Sequence, residues 1–351
     1  MKPGVVPDGP IEWLLLKANQ IPIPLIDTFS AMMNAKAILA ANEIGLFNAL
    51  AEGSRSLNVL AKHLGVTKRG IADLTDALCA NGYLARDEDR VALTDVSRKW
   101  LARSSPEYIG HMLEHVNDLW GVWLNLEEAI RIGRPPASDY SDWLNDENCR
   151  SILRRHILGL RETARFTAPE IVRNLEFSMK SARLLDIGGG HAGYAIAFCE
   201  QNPNLTATVF DLASTAEIGR EIVERENMSE RVEFHVGDFL LDDFEQDYDA
   251  ALYFNIIHNF SEEENRLVMR KAFNALRPGG VLAVWDMFKA KDNKRDIMPA
   301  LMSLHMLVAS GGTSYPMDDV MRWLTEIGFK DTTLEQTRTM PGFSLIIVRK
   351  P

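Results

Sequence analysis

The 351-residue chain predicts an α/β fold: a Rossmann-like, seven-stranded, mostly parallel sheet with one antiparallel strand, plus an N-terminal, mostly α winged-helix domain. Three observations carry this. Strand-like and helix-like segments alternate from Ala182 onward, the pattern that builds a parallel sheet through helical crossovers. The run Leu184-Leu185-Asp186-Ile187-Gly188-Gly189-Gly190-His191-Ala192-Gly193 leads a short apolar strand into a glycine-rich turn and then a helix. Bare backbone at the carboxyl end of a parallel strand is where open α/β sheets bind nucleoside ligands. Ahead of this region, two short helical segments and a two-stranded ribbon form a separate pattern.

The first ten residues hold three prolines and two glycines and predict a mobile or draped arm. Apolar residues at helical spacing between Ile23 and Asn48 predict one or two largely buried helices ending near Gly45. The segment Ser56–Val66, a helix from Lys68 to about Asn81, and the ribbon Tyr83–Arg86 with Val91–Thr94 make the winged helix-turn-helix. A DNA reader needs a basic second helix. Here that helix opens with two cations and two acids (Lys68, Arg69, Asp73, Asp76), so packing and dimerisation are the favoured role. Residues 107–180 look helical, with Trp120, Trp123 and Leu126 on one face, as core or pocket, and a break at Pro135-Pro136. The expected domains are 1–106 for dimerisation, 107–180 as a helical connector to a substrate pocket, and 181–351 for catalysis.

In the last of these, strands are expected at Arg183–Ile187, Thr206–Phe210, Val232–Val236, Ala250–Phe254, Val281–Asp286, Thr332–Gln336 and Ser344–Arg349. Helices are expected at about 193–201, 214–227, 261–276 and 316–327. The last two strands lie a short turn apart, which predicts a hairpin that reverses one edge strand.

Composition narrows the function. Thirty-eight basic against 49 acidic residues leave a net charge of −11, which argues against a protein built to grip nucleic acid. No apolar run reaches the roughly 20 residues that span a bilayer, so no membrane partner is expected. The three cysteines show neither metal-ligand spacing nor a disulfide framework, which suits a cytoplasmic protein.

Gly188, Gly190 and Gly193 satisfy a G-x-G-x-x-G spacing, a weak signal alone. Asp186 sharpens it: a carboxylate there repels a pyrophosphate but suits a ligand with an ammonium group, and S-adenosylmethionine has one. Asp211, about 20 residues on at the end of the second strand, either binds ribose hydroxyls or caps the helix after Leu212. Asp238 and Phe239 offer a carboxylate and a ring to an adenine, or are only a turn. The fourth strand ends in Asn255-Ile256-Ile257-His258-Asn259-Phe260, followed by a capping box at Ser261 and Glu264. His258 thus sits at the mouth of the sheet, where it can take a proton from a hydroxyl or merely bond backbone. Clustered carboxylates for a metal are not evident, so none is expected.

Asp-Ile-Gly-Gly-Gly-x-x-Gly, Val-Phe-Asp-Leu, Gly-Asp-Phe, Ile-His-Asn-Phe and Leu-Arg-Pro-Gly-Gly occur in this order. Together with Glu43-Ile44-Gly45-Leu46-Phe47 they resemble the small-molecule O-methyltransferase family, which includes plant caffeate and flavonoid enzymes and bacterial antibiotic-tailoring enzymes. The resemblance spans about residues 30–349. It implies a class I S-adenosylmethionine-dependent fold, a homodimer made through the N-terminal domain, and a small acceptor buried between domains. By position it implies that Asp186, Gly188 and Gly190 meet the methionine end of the cofactor. Asp211 and Leu212 meet the ribose, Asp238 and Phe239 the adenine, and Asn255 also lies with the cofactor. His258 falls on the family's base and Asp286 on the acid that orients it.

The sequence also departs from the family. Asn259 replaces the usual aspartate after the histidine, Phe260 a tryptophan, Ser314 a second supporting acid, and Phe254 a lysine of the plant enzymes. C-methylation, or decarboxylation or hydroxylation on the same scaffold, therefore stays open beside O-methylation, with a DNA-binding regulator further behind. Met302, His305 and Met306 lie at helical spacing and are expected to line the acceptor pocket or the core; His305 is also a rival base. The acceptor class expected is aromatic or polyketide-like.

Overall fold

A computed structural model describes residues 7, 9–136, 149–175, 182–289, 297–340 and 342–351. Parts of the expected arm and of the 107–180 helical region lie outside the described residues. The chain divides into two compact units, Met1–Asn117 and Asp118–Pro351. Among the described residues no helix is long and apolar enough to cross a membrane.

In the first unit, Pro10 opens a helix, Pro10–Lys17, just past the expected arm. Proline suits this position because the first helical N–H has no partner to lose. The helix Ala31–Glu43 buries only Leu39 and Ala41, while Phe29, Met32 and Met33 stand about half exposed at 55%, 48% and 48%. The expectation of a largely buried segment therefore fails within the single chain. Its periodicity marks an apolar face, but not what covers that face. Helices Leu57–Leu64 and Lys68–Ala80 start at Ser56 and Thr67, whose hydroxyls accept the N–H of Val59 and Gly70. Strands β1 (Arg55–Ser56), β2 (Leu84–Asp87) and β3 (Arg90–Leu93) pair antiparallel in the order β1-β3-β2. Leu46, Leu50, Leu60, Ile71, Leu78 and Val91 close the core of this unit.

The second unit is built on seven strands: β4 (Ala182–Ile187), β5 (Leu205–Asp211), β6 (Val232–Val236), β7 (Tyr248–Phe254), β8 (Leu276–Met287), β9 (Lys330–Gln336) and β10 (Phe343–Arg349). Their order is β6-β5-β4-β7-β8-β10-β9. The run β6 to β8 is parallel, and β10 is antiparallel to both β8 and β9. The reversed strand is thus not at the edge, as the hairpin suggested. β10 is buried along most of its length while every residue of β9 is exposed. The apolar run Leu345–Val348 needs cover on both faces, so it takes the inner position.

Alternate side chains feed the two faces of the sheet. Leu184, Leu252 and Phe254 pack with the helices Arg150–Asn174, Gly193–Gln201 and Ala213–Arg225; Leu185, Ala251 and Tyr253 pack with Glu262–Ala275 and Met317–Ile327. The long helix Arg150–Asn174 docks outside Ala213–Arg225 and its following residue through Arg150–Glu217, Arg154–Glu221 (2.6 Å) and Arg161–Glu226 (2.9 Å). Glu170 on that helix accepts the N–H groups of Arg338 and Thr339, at 2.7 and 2.9 Å, and the Thr339 hydroxyl. It thereby latches the link between β9 and β10. The strand order reverses between β4 and β7, which opens a crevice at their carboxyl ends. The candidate site lies there.

Candidate active site

The glycine turn leaves β4 with Gly188 in the left-handed region (φ +68°), a conformation open to glycine at little cost. A β-carbon on Gly188 would lie 2.6 Å from Ile256 Cδ1, and one on Gly189 2.2 Å from the Asp186 carboxyl carbon. One on Gly190 would meet Thr215 Cγ2 at 2.1 Å and Asp211 Oδ2 at 2.9 Å. Gly189 and Gly190 are therefore needed for the turn to lie directly on two carboxyl groups, and Gly188 for its left-handed φ and its contact with Ile256. His191 completes it: its Nδ1 accepts the Gly193 N–H at 2.9 Å, which fixes the start of the next helix. Burial, with the Arg161 charge second, pushes the His191 pKa down to about 3, so this ring is neutral.

Asp186 is 1% exposed, and its Oδ2 has no hydrogen-bond partner. Burial first, then the Asp211 charge, pushes its pKa up to about 7. Asp211 is raised to about 6 by burial, against the stabilising N–H groups of Leu212 and Gly190 and the Thr215 hydroxyl. The Leu212 N–H reaches Asp211 Oδ1 at 2.7 Å; Leu212 precedes the helix Ala213–Arg225, which has no side-chain cap. A buried orphan carboxylate oxygen costs free energy unless something positive or hydrogen-donating fills its side. A ligand with an ammonium group and a flat sugar-bearing body suits the cradle.

Asp238 accepts the Leu240 N–H at 2.8 Å, and Phe239 meets Phe260 edge-on with centroids 5.4 Å apart. The same β-carbon on Gly188 would lie 3.5 Å from Phe239 Cε1, so this ring reaches the glycine turn. Asn255 follows β7 with φ +60° and donates its N–H to Trp285 O at 2.8 Å. A non-glycine residue held there is uncommon and turns the chain sharply out of the strand.

That turn delivers His258, on a single 3₁₀ turn, Ile257–Asn259. His258 and Asp286 are 7% and 1% exposed, and His258 Nδ1 lies 2.8 Å from Asp286 Oδ1. A carboxylate can only accept, so Nδ1 carries the hydrogen and the Nε2 lone pair is left for a proton. The turn itself is held by residues that sequence reasoning missed. Asn265, fully buried, donates to the carbonyls of Ile257, Phe260 and Ser261 and accepts the Tyr253 hydroxyl. Tyr315 donates to Phe260 O at 2.8 Å. A β-carbon on Gly312 would lie 2.0 Å from His258 O, so the Gly311–Tyr315 segment lies against the back of the turn. The only local signal for Asn265 is an amide one turn inside a helix, which no spacing rule singles out.

Met302, His305 and Met306 fall on the helix Ile297–Ala309. Met302 packs with the core that holds Trp285, and Met306 is buried with the Ser310 hydroxyl on its sulfur. His305 Nδ1 accepts the Trp123 indole N–H at 3.1 Å. An indole nitrogen only donates, so this Nδ1 holds no hydrogen, the reverse of His258.

Against known proteins, the profile described as an O-methyltransferase domain matches residues 123–330, and that of an O-methyltransferase dimerisation domain matches residues 26–103. The 3-hydroxy-5-methyl-1-naphthoate 3-O-methyltransferase of Streptomyces sahachiroi is 29% identical over 310 residues, covering 88% of this chain and 89% of the relative. The tetracenomycin polyketide synthesis 8-O-methyl transferase TcmO of Streptomyces glaucescens is 27% identical over 333 residues, covering 94% and 97%. Among solved structures, human N-acetylserotonin methyltransferase in complex with SAM superposes with a TM-score of 0.83 at 20% identity, covering 99% of each chain.

Proposed function

This chain belongs to the O-methyltransferase family, and we propose that it moves a methyl group from S-adenosylmethionine to a hydroxyl of a small aromatic or polyketide-like acceptor. The observation that carries the reading is the buried His258–Asp286 pair, 2.8 Å apart, at the carboxyl ends of the strands beside the glycine turn.

When bound, S-adenosylmethionine supplies an electrophilic methyl on a sulfonium. Asp186, with its orphan oxygen, takes the ammonium end over Gly188 and Gly190, while Asp211 and the Leu212 backbone take the ribose. Asp238 and Phe239 would hold the adenine, and Asn255 also lies with the cofactor. His258 Nε2 would accept the proton of the acceptor hydroxyl, while the bound cofactor would supply the methyl group, its carbon–sulfur bond breaking as the carbon–oxygen bond forms and S-adenosylhomocysteine leaving as the neutral thioether. Asp286 keeps Nδ1–H in place and offsets the charge of the imidazolium. Much of the acceleration comes from holding the two reactants in line. Met302, His305 and Met306 line the acceptor side. In this reading residues 1–106 make a homodimer, supported by the dimerisation profile over 26–103 and by the exposed Phe29, Met32 and Met33. Residues 107–180 contribute to the acceptor pocket, and 181–351 are catalytic.

The test is turnover with methyl-labelled cofactor and a panel of phenolic and polyketide acceptors, with the product bond assigned by NMR. The expected product is an O-methyl ether. A C-methyl product, or a product without the label, overturns the reading.

A further inference from the structure

The helix Glu262–Ala275 holds the His258 turn through Asn265, and further along it carries a charged side chain that the chemistry above leaves unused. Lys271 is 10% exposed, and its Nζ donates to Phe239 O at 3.1 Å, Leu240 O at 3.1 Å and Asp242 O at 2.8 Å. An ammonium has three donors and no acceptor, so these carbonyls take its whole capacity. Among the described residues no backbone N–H reaches any of the three. The carboxylate of Asp243 lies 4.0 Å away and is 89% exposed, a pairing that water largely screens. Lys271 is thus anchored to backbone, not to a surface charge. An apolar side chain would fill the same place without the cost of desolvating an ammonium. What only the ammonium can do there is gather three carbonyls at one point.

Those carbonyls belong to the loop after β6, residues 237–243. Inside it, Asp238 Oδ1 accepts the Leu240 N–H, and Asp242 Oδ2 accepts the Asp238 N–H at 2.8 Å. Asp238 O accepts the N–H groups of Leu241 and Asp242. The loop's own bonds therefore use its N–H groups and leave the carbonyls of Phe239, Leu240 and Asp242 to the helix. Its tip stands in water, with Leu241 80% exposed. Such a loop needs a tie from outside to keep one shape, and charge-assisted bonds make a strong one. The tie falls on Phe239 O, and the Phe239 ring is the one that reaches the glycine turn and meets Phe260.

We propose that Lys271 is a positioning residue for the cofactor: it touches no ligand, and it sets the backbone of the loop that presents Asp238 and Phe239 to the adenine. This rests on the reading that places the adenine at those two residues. One helix then ties down both halves of the site, the turn that carries the base through Asn265 and the adenine loop through Lys271.

The test uses the full-length protein, titrates S-adenosylhomocysteine by calorimetry and follows hydrogen exchange of the unliganded chain. Lys271→Met, which keeps the length of the side chain and removes its charge and donors, is expected to bind the ligand about tenfold more weakly. Exchange at the Leu240, Leu241 and Asp242 amides is expected to quicken, while exchange at Gly193 stays as it was. Lys271→Arg, which keeps the charge and can reach two of the carbonyls, is expected to recover part of the affinity. Phe239→Ala is also expected to weaken binding, and adding Lys271→Met to it should cost about threefold or less, because the ring that the clamp positions is already gone. A residue that only stabilises the fold would subtract the same factor in both backgrounds. A weakened Phe239→Ala beside an unaffected Lys271→Met overturns the proposal, even where loop exchange quickens, and so does full additivity of the two. Phe239→Ala and Asp238→Ala both binding like the wild type would instead sink the adenine reading and take this one with it. The readout is binding alone, so the outcome does not depend on methyl transfer.

Discussion

His258 Nδ1 lies 2.8 Å from Asp286 Oδ1, and that same oxygen accepts the backbone N–H of Met287 at 2.7 Å. The carboxylate is therefore aimed by the next residue of its own strand. The short aspartate side chain reaches the ring because its rotamer is fixed by that N–H.

Asp286→Asn keeps the shape and removes the charge. Turnover is expected to fall about 10²–10⁴-fold, with cofactor affinity little changed, because the amide neither enforces the tautomer nor offsets the imidazolium. His258→Ala is expected to lose at least as much and His305→Ala far less. Steady-state kinetics on the three variants check this, and activity surviving in His258→Ala would move the base elsewhere.

Asp186 and Asp211, raised to about 7 and about 6, make cofactor binding pH-dependent. Both carboxyls hold protons more tightly in the folded chain than at their ordinary 3.8. The unliganded fold thus gains most from them at low pH and loses that gain as pH rises through 6 to 7. A positively charged ligand favours the ionised form and expels protons. Calorimetry of S-adenosylmethionine at roughly pH 6.5, in two buffers of different ionisation enthalpy, is expected to show net proton release. Asp186→Asn should reduce that release; an unchanged value would refute the coupling.

Gly190→Ala places a methyl group against Thr215 Cγ2 and Asp211 Oδ2. Loss of cofactor binding is expected, with the fold retained at some cost in melting temperature. Adding Thr215→Ser deletes the clashing methyl and keeps the hydroxyl bonded to Asp211, so it should restore part of the affinity. Equal binding by both variants would show that the clash is relieved elsewhere.

Glu170→Gln weakens a charged latch that holds two N–H groups and a hydroxyl. A loss of about 1–3 kcal/mol is expected, seen in denaturant unfolding, with faster hydrogen exchange at Arg338 and Thr339. The Glu170 pKa is lowered by the Thr339 hydroxyl and the two backbone N–H groups, which outweigh the opposing cost of burial. Its contribution is therefore present above the ordinary 4.5 and fades as pH falls through the folded value.

Much of this was legible in the chain. The glycine turn, the capping box at Ser261 and Glu264, and the alternation from β4 to β8 are local patterns, and local patterns survive folding. The inner place of β10 was also legible and was missed. Phe343–Val348 is almost entirely apolar, while Lys330–Gln336 is polar, so burial alone puts β10 inside and β9 at the edge. Thr215, Asn265 and Gly312 were not legible. Each acts through a neighbour brought close only by the folded sheet, as when Asn265 gathers three carbonyls of the His258 turn. The pairing of His305 with Trp123, 182 residues apart, is of the same kind.

The inner position of β10 also bears on how the protein is made. During synthesis β8 emerges well before the strand that pairs with its free side, and β9 emerges in between without pairing to it. Until Phe343–Arg349 leaves the ribosome, the buried stretch Val281–Met287 keeps one row of backbone donors and acceptors open to other nascent chains. The polar strand that ends at the rim protects the finished sheet, but it cannot protect the growing one, and chaperone demand should be greatest in that interval.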